Sequence, residues 1–245
     1  SKLGDLYGNH FTIILRHINK EFNECLKGLN AVKEYGFINY YGTQRFGTQS
    51  VPTQAVGIAI LQQDYQLAIS LILSCRKDDH ELVAIAKEYF NETRDAKGFL
   101  KKLPKFSHIE RSIATHLSMN KQSLADYQGA FSKISRPLRL MYVHAVQSYI
   151  WNHMTSQRIS MNNTHVILGD LVQISDLFKN IQLNKDKNSH DGQEFKKSLN
   201  TDIHIVTQQD LDNKTYTIND VVLPLPGKYV LYPENSLKTL YFQLF

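Results

Sequence analysis

Cysteine is scarce in this chain of 245 residues: Cys25 and Cys75 are the whole supply. They are far apart and belong to no Cys-x-x-Cys, which excludes a disulfide scaffold and a zinc site of the usual spacing. Two buried, reduced thiols in an intracellular protein are expected instead. Long hydrophobic runs are also missing. The longest apolar stretch, Ala55–Leu61, is seven residues interrupted by Gly57, far short of the ~20 that span a bilayer. No charged-then-apolar leader opens the chain, so a soluble protein is expected. Glycine-rich phosphate loops are absent, which argues against a nucleotide cofactor. The ten histidines include no His-x-x-x-His, and His108 and His116 would stand ~12 Å apart along a helix, too far to share an ion. No internal repeat is seen. Charge of neither sign dominates: 28 Lys and Arg against 23 Asp and Glu give a net +5 and a pI near 9.0. That balance is compatible with an anionic partner without identifying one.

What is present is concentrated in Gly36–Gly47, Gly-Phe-Ile-Asn-Tyr-Tyr-Gly-Thr-Gln-Arg-Phe-Gly. Gly36, Gly42 and Gly47 allow positive φ or close backbone approach. Phe37, Tyr40, Tyr41 and Phe46 offer flat faces that stack on a base. Arg45 can meet a phosphate or carboxylate through two parallel hydrogen bonds, while Asn39 and Gln44 each carry a donor and an acceptor. The mixture suits a pocket for a polar, planar ligand. It equally suits a tight loop whose aromatics fill the core and whose Arg is solvated.

Along the chain, Phe11–Leu15 reads as a short strand buried on both faces. A helix follows over Lys20–Tyr35, capped by Asn19 and closed by Gly36, with Phe22, Cys25, Leu26, Leu29 and Val32 as its buried stripe. Helices are then predicted over Thr53–Gln62, Asp64–Ser74, Asp79–Phe90, Glu92–Leu100, Ile109–Met119 and Ser123–Phe131. Arg136–Ile159 is the strongest helical segment, with Pro137 in its first turn. Apolar residues cover more than one of its faces, so it should be central and buried. Its polar residues Arg139, Gln147, Ser148 and Asn152 would then need partners. Beyond it, short strands are predicted at His165–Leu168, Ile203–Val206 and near Tyr229–Tyr232, with a capped turn at Thr207-Gln208-Gln209-Asp210. Asn184–Asn200 repeats no apolar period and reads as a mobile surface insertion. Lys97, Lys101, Lys102 and Lys105 form a basic cluster, read first as a solvated face and second as an RNA contact.

Asn39-Tyr40-Tyr41-Gly42-Thr43-Gln44-Arg45-Phe46-Gly47 resembles the asparagine-aromatic motif of the TruD family of RNA pseudouridine synthases. Gly4–Ile13 resembles that family's Gly-Asn-x-Phe strand, and Gly169-Asp170-Leu171 its Gly-Asp turn. Gln147-Ser148-Tyr149-Ile150-Trp151-Asn152 is similar to its long helix, and Tyr216–Gly227 to a segment of its eukaryotic and archaeal branches. The resemblance implies an α+β fold: residues 1–63 as part of the catalytic core, and 64–245 as a helix-rich inserted domain with a small mixed β region. It implies isomerisation of uridine to pseudouridine in RNA, tRNA foremost, by a monomer in the nucleus or cytoplasm with no cofactor. Carried over residue by residue, Asn39 orients the catalytic Asp, and Tyr41 stacks on the flipped base. Gln44, Arg45 and Phe46 complete the substrate-binding motif, with Arg45 on an RNA phosphate or an internal carboxylate. The family's Asp sits in a Gly-x-Lys-Asp motif found nowhere in this chain, which is therefore expected to be a fragment whose nucleophile lies upstream. The other reading is a catalytically inert RNA-binding module that retains the pocket motif.

Overall fold

The structure, a computed structural model, describes residues 10–47, 50–119, 126–173 and 203–243. The insertion expected at Asn184–Asn200 lies outside the described residues. The chain divides into two units, residues 1–40 and 41–245.

In the first unit, α1 spans Phe22–Tyr35 and ends where Gly36 turns to φ +73°, its N–H returning to the Val32 carbonyl. That closure is the expected one, since only glycine adopts the left-handed region at no steric cost. The start differs: Glu21, not Asn19, is the N-cap, and it makes no side-chain capping bond. Phe11–Leu15 is not a strand. Its residues carry no ladder, and Phe11, Ile13, Ile14 and Leu15 are all exposed. A strand exists only by pairing, and the described residues of this unit contain no second strand. The α1 stripe is likewise open, with Phe22 75% and Leu29 59% exposed. Cys25 is half-buried and Cys75 exposed, so the expectation of two buried thiols fails for both.

The second unit is mostly helical. One turn, α2 (Thr43–Phe46), is followed by α3 (Thr53–Leu61), α4 (Tyr65–Ile72), α5 (Glu81–Thr93), α6 (Ala96–Lys102), α7 (His108–Met119), α8 (Tyr127–Ser132) and the long α9 (Arg136–Met161). Several starts are capped by side chains: Asp64, Asp95 and Asp126 each accept a backbone N–H of the first turn. A core of Val56, Ile69, Phe90, Phe99, Ile113, Phe131 and their neighbours runs through α3 to α8 and meets α9 at Tyr142. Each such side chain contributes roughly 1.5–3 kcal/mol on burial. Helix α9 is central, as its two-faced apolarity predicts, with Tyr142, Ala145, Val146, Ile150 and Met154 buried. It crosses α3 so closely that a Cβ on Gly57 would overlap the Tyr142 carbonyl oxygen and the Val146 side chain. That contact explains a glycine inside an otherwise apolar helix.

Among the described residues three short antiparallel strands follow, β1 (Leu171–Gln173), β2 (Ile203–Ile205) and β3 (Val221–Val222), in the order β2-β1-β3. Leu171 stands opposite both Ile205 and Val222. The short helix α10 (Gln208–Asp212) opens on the Thr207–Asp210 capping box. Hydrogen bonds from the Thr207 hydroxyl and the His204 ring hold the Asp210 carboxyl down at about 2. Helix α11 (Ser236–Gln243) then packs on α9 through Leu237 and Tyr241. The strands expected at His165–Leu168 and Tyr229–Tyr232 are absent. In the first, the Ile167 N–H is taken by the Asp170 carboxylate, so pairing begins only after the turn. The second forms no ladder with any of the three strands.

The end of α9 is tied to the sheet by a buried ion pair. Arg158 donates through Nε and Nη2 to the two Asp170 oxygens at 2.8 and 2.6 Å, with both residues at most 2% exposed. The guanidinium also serves the carbonyls of Asn162 and His165. Asp170 accepts in turn from the Ile167 N–H and Asn235 Nδ2. Gly169, at φ +80°, lets Glu234 approach within hydrogen-bonding distance, its N–H giving a 2.7 Å bond to the Gly169 carbonyl. Removing one member of such a pair strands a charge in a dry site, which costs ~3–5 kcal/mol. Asp170→Ala is therefore expected to lower unfolding free energy by ~3–5 kcal/mol in urea titrations, and Arg158→Ala by a similar amount. A joint Arg158→Met, Asp170→Leu replacement should recover only part of it, because four polar groups lose their partners.

Candidate functional site: the Tyr41–Phe46 turn on helix α9

The motif Gly36–Gly47 straddles the division of the chain. Asn39 belongs to the first unit and is exposed; Tyr41, Gln44, Arg45 and Phe46 open the second. Gly42 precedes α2 in extended conformation at φ −113° with open space around it, so glycine is not demanded there. Gly47 is different: it ends the turn at φ +79°, its N–H on the Thr43 carbonyl. Thr53 at the start of α3 donates its hydroxyl to the Phe46 carbonyl at 3.0 Å, fastening the turn's far end.

The near end is held by α9. The Asn152 side-chain amide meets the main chain of Tyr41 on both sides: the Tyr41 N–H donates to Oδ1 at 3.0 Å, and Nδ2 donates to the Tyr41 carbonyl at 2.9 Å. A primary amide has one donor edge and one acceptor edge in a plane, so it reproduces the pairing a neighbouring strand would offer. This fixes the peptide while leaving the Tyr41 ring to other contacts. That ring is half-buried. Trp151 meets it edge-on, with centroids 5.5 Å apart and planes at 83°. The Arg45 guanidinium carbon lies 5.4 Å from its centroid, within cation–π range. Phe46 is half-buried and Gln44 exposed. The structure thus brings Tyr41 and Arg45 together and leaves the Gln44 amide facing solvent.

The same helix face holds a second motif. Trp151 Nε1 donates to the Leu223 carbonyl at 3.0 Å and Gln147 Nε2 to the Pro226 carbonyl at 2.9 Å. Tyr241 from α11 adds its hydroxyl to the Pro224 carbonyl at 2.8 Å, and burial pushes that phenol up from its ordinary pKa. Proline supplies no N–H, so Leu223-Pro224-Leu225-Pro226 cannot complete a ladder, and its carbonyls go to side chains instead. Gln147, Trp151 and Asn152 hold the candidate site and the Leu223–Pro226 segment, a role that motif reading did not assign to them. The sequence marks Gln147 and Asn152 as polar residues that need partners on a buried helix, but names none. Among the described residues no group of three or more His, Cys, Asp or Glu could hold a metal ion, and no helix is long and apolar enough to cross a membrane.

Comparison with known proteins places this geometry. The family model described as tRNA pseudouridine synthase D (TruD) matches residues 2–215. The chain is 37% identical over 243 residues to multisubstrate pseudouridine synthase 7 of Schizosaccharomyces pombe, covering 98% of this chain and 35% of that protein. It is 37% identical over 244 residues to the pseudouridylate synthase 7 homolog of Homo sapiens, covering 99% of this chain and 32% of that one. The chain thus spans about a third of the length of these relatives. The fold is similar to that of the Methanosarcina mazei protein assigned as tRNA pseudouridine synthase D (TruD), with TM-score 0.68 and 24% identity, over 94% of this chain and 51% of that one.

If the Asn152 amide fixes the Tyr41 peptide, Asn152→Ala should remove both bonds and lower stability by ~1–3 kcal/mol, at 0.5–1.5 for each net hydrogen bond. Asn152→Asp should do no better, because a carboxylate oxygen would face the Tyr41 carbonyl. Trp151 is the one tryptophan of the chain, so its fluorescence reads the site directly. Both variants are expected to shift its emission below the unfolding transition. An unchanged spectrum and midpoint would show that the pair holds nothing.

Proposed function

The chain belongs to the tRNA pseudouridine synthase D (TruD) family, and from that premise we propose that it forms part of an RNA pseudouridine synthase acting on tRNA first among RNAs. The observation that carries the reading is the two-sided hold of Asn152 on Tyr41. It fixes the main chain of an aromatic residue whose ring stays at the edge of the fold, the arrangement a stacking platform needs. The reaction breaks the bond between the ribose and N1 of uracil, turns the base, and rejoins it through C5. The target nucleotide must first leave its stack, at a cost of a few kcal/mol. Tyr41 offsets part of that cost by stacking, worth ~1–3 kcal/mol per base. Gln44 presents its exposed amide to the polar edge of the base, and Phe46 backs the turn. Asn39 orients the nucleophilic Asp, which is supplied from outside these 245 residues, since they contain no Gly-x-Lys-Asp. Residues 1–63 are assigned to the catalytic core and 64–245 to the inserted domain. The protein works as a monomer in the nucleus or cytoplasm.

Two experiments test this. The 245-residue chain alone should release no label from 5-tritiated uridine in tRNA, even in excess over RNA; release above background would mean the nucleophile has been misplaced. In the complete enzyme, Tyr41→Ala should weaken capture of the flipped uridine by ~1–3 kcal/mol, with Tyr41→Phe costing far less because the π-face survives. Asn39→Ala should slow turnover while leaving RNA affinity intact. Single-turnover kinetics with parallel RNA binding separates these effects. Wild-type binding and turnover in a folded Tyr41→Ala enzyme would return the motif to a structural loop. A complete enzyme that binds RNA but turns over none would instead favour an inert RNA-binding module.

A further inference from the structure

Helix α7 has two chemically opposite faces. On one, Ile113, Ala114 and Leu117 enter the core, and Glu110 lies 3.5 Å from the buried Lys87 ammonium. On the other, His108, Arg111, Ser112, Thr115 and His116 recur at the i, i+3, i+4, i+7, i+8 spacing of a single helix face. With Lys133 from the end of α8 they line a concavity of about 580 Å³. Among the described residues none that lines it is acidic. Asp126 approaches from the start of α8, but its carboxylate is committed: Oδ2 lies 2.7 Å from His116 Nε2, and Oδ1 accepts the Gly129 N–H.

The positive groups are differently held. Arg111 is half-buried and anchored, its Nη1 donating to the Leu103 carbonyl at 2.9 Å and to Leu100 at 3.4 Å, both at the end of α6. Such an anchor accounts for one nitrogen and leaves a fixed cation with donors to spare. Lys133 is exposed. The lysines of α6 do not line the concavity: Lys102 lies over the Tyr89 ring of α5. Fixed guanidinium, mobile ammonium and hydroxyls in a concavity free of acidic lining suit oxyanions carried on a chain.

We propose that this concavity is a phosphodiester-binding site that holds the sugar-phosphate backbone of the RNA substrate. This rests on the reading of the chain as part of an RNA-modifying enzyme, but not on the role of Tyr41. The site reads no sequence, because phosphate contacts position a nucleic acid without distinguishing its bases.

The test is binding of a fluorescein-labelled oligouridine to the 245-residue chain, followed by anisotropy from low to moderate salt. Lys133→Gln and Arg111→Gln are compared with Lys238→Gln, an equal loss of charge on α11 outside the concavity. Both site variants should weaken binding several-fold at low salt. Each should also reduce the slope of log affinity against log salt by ~0.7, the value for one phosphate contact to a single strand, while Lys238→Gln stays at wild type. Thermal melts establish that Arg111→Gln is folded; if it is not, the exposed Lys133→Gln decides alone. Tyr41→Ala, run in parallel, should lose affinity with its salt slope unchanged, so failure of the stacking reading is told apart from failure of this one. The proposal is overturned if the site variants match Lys238→Gln, if the wild-type chain binds no oligouridine, or if polyglutamate competes as well as RNA at equal charge.

Discussion

Two hydrogen bonds between the Asn152 amide and the Tyr41 peptide join residues 111 apart in sequence, and the arrangement of the motif depends on them. Helix α9 repeats the device along its length. Gln147 and Trp151 take the carbonyls of Pro226 and Leu223, and Arg158 those of Asn162 and His165. A helix satisfies its own main chain, so side chains on its surface are free to satisfy someone else's. Loops next to α9 need no ladder or further helix to pair their polar groups, and they pack against it as irregular chain. That is how the turn bearing Tyr41, Gln44 and Arg45 is held on a rigid element rather than left at a loop tip.

The ends of α9 differ in how costly their contacts are to lose. Near its middle, the polar side chains that hold loops are half-buried, and each bond is worth ~0.5–1.5 kcal/mol net. At its C-terminal end, Arg158 and Asp170 are sealed from water, and a lone survivor would cost several kcal/mol. The buried pair is therefore the rigid anchor. It sets where β1 begins, and through Asn235 it sets where α11 begins. Helix α11 in turn carries Tyr241 to Pro224, so the Leu223–Pro226 segment is gripped from two sides by elements that one ion pair aligns.

Much of this was legible in the residues. Period-3.6 apolar spacing locates α3 to α9 because those helices bury the face that the spacing defines, but not their starts: the caps Asp95 and Asp126 lie inside the stretches expected as Glu92–Leu100 and Ser123–Phe131, because spacing marks a face and an N-cap is a separate local device. Failures arose where structure depends on what lies across from a segment. Phe11–Leu15 and the α1 stripe carry patterns as clear as that of α4, yet Phe22 and Leu29 stand exposed while Ile69 is 1% exposed. Periodicity reports which face could be buried; only a partner buries it. The strand at His165–Leu168 failed for a related reason, since the Ile167 N–H is claimed by the Asp170 carboxylate. At the site, motif reading singled out Tyr41 and Arg45 but could not show that Arg45 faces the Tyr41 ring, or that Asn152 bonds both main-chain groups of Tyr41. Both are contacts across distance, and a single sequence records no pairing.

The Arg45 contact bears on how the proposed pocket would work. In the ligand-free turn the guanidinium sits over the Tyr41 ring, a contact worth ~0.5–1 kcal/mol where water has access. A uracil stacked on Tyr41 is worth ~1–3 kcal/mol, so the base prevails if both need the same face. Trp151 holds the ring edge-on, which keeps its plane set while the face changes occupant. The displaced guanidinium then lies within a side chain's length of a nucleotide whose phosphates carry negative charge, and its planar fork matches a phosphate bidentately. Resting cation and incoming base would thus exchange places on one ring, and the guanidinium loses its π contact only as a stronger, charge-assisted partner arrives. Among the described residues Arg45 forms no ion pair with a carboxylate, and on the proposed reading it would shield the Tyr41 face until RNA arrives and bind the backbone afterwards.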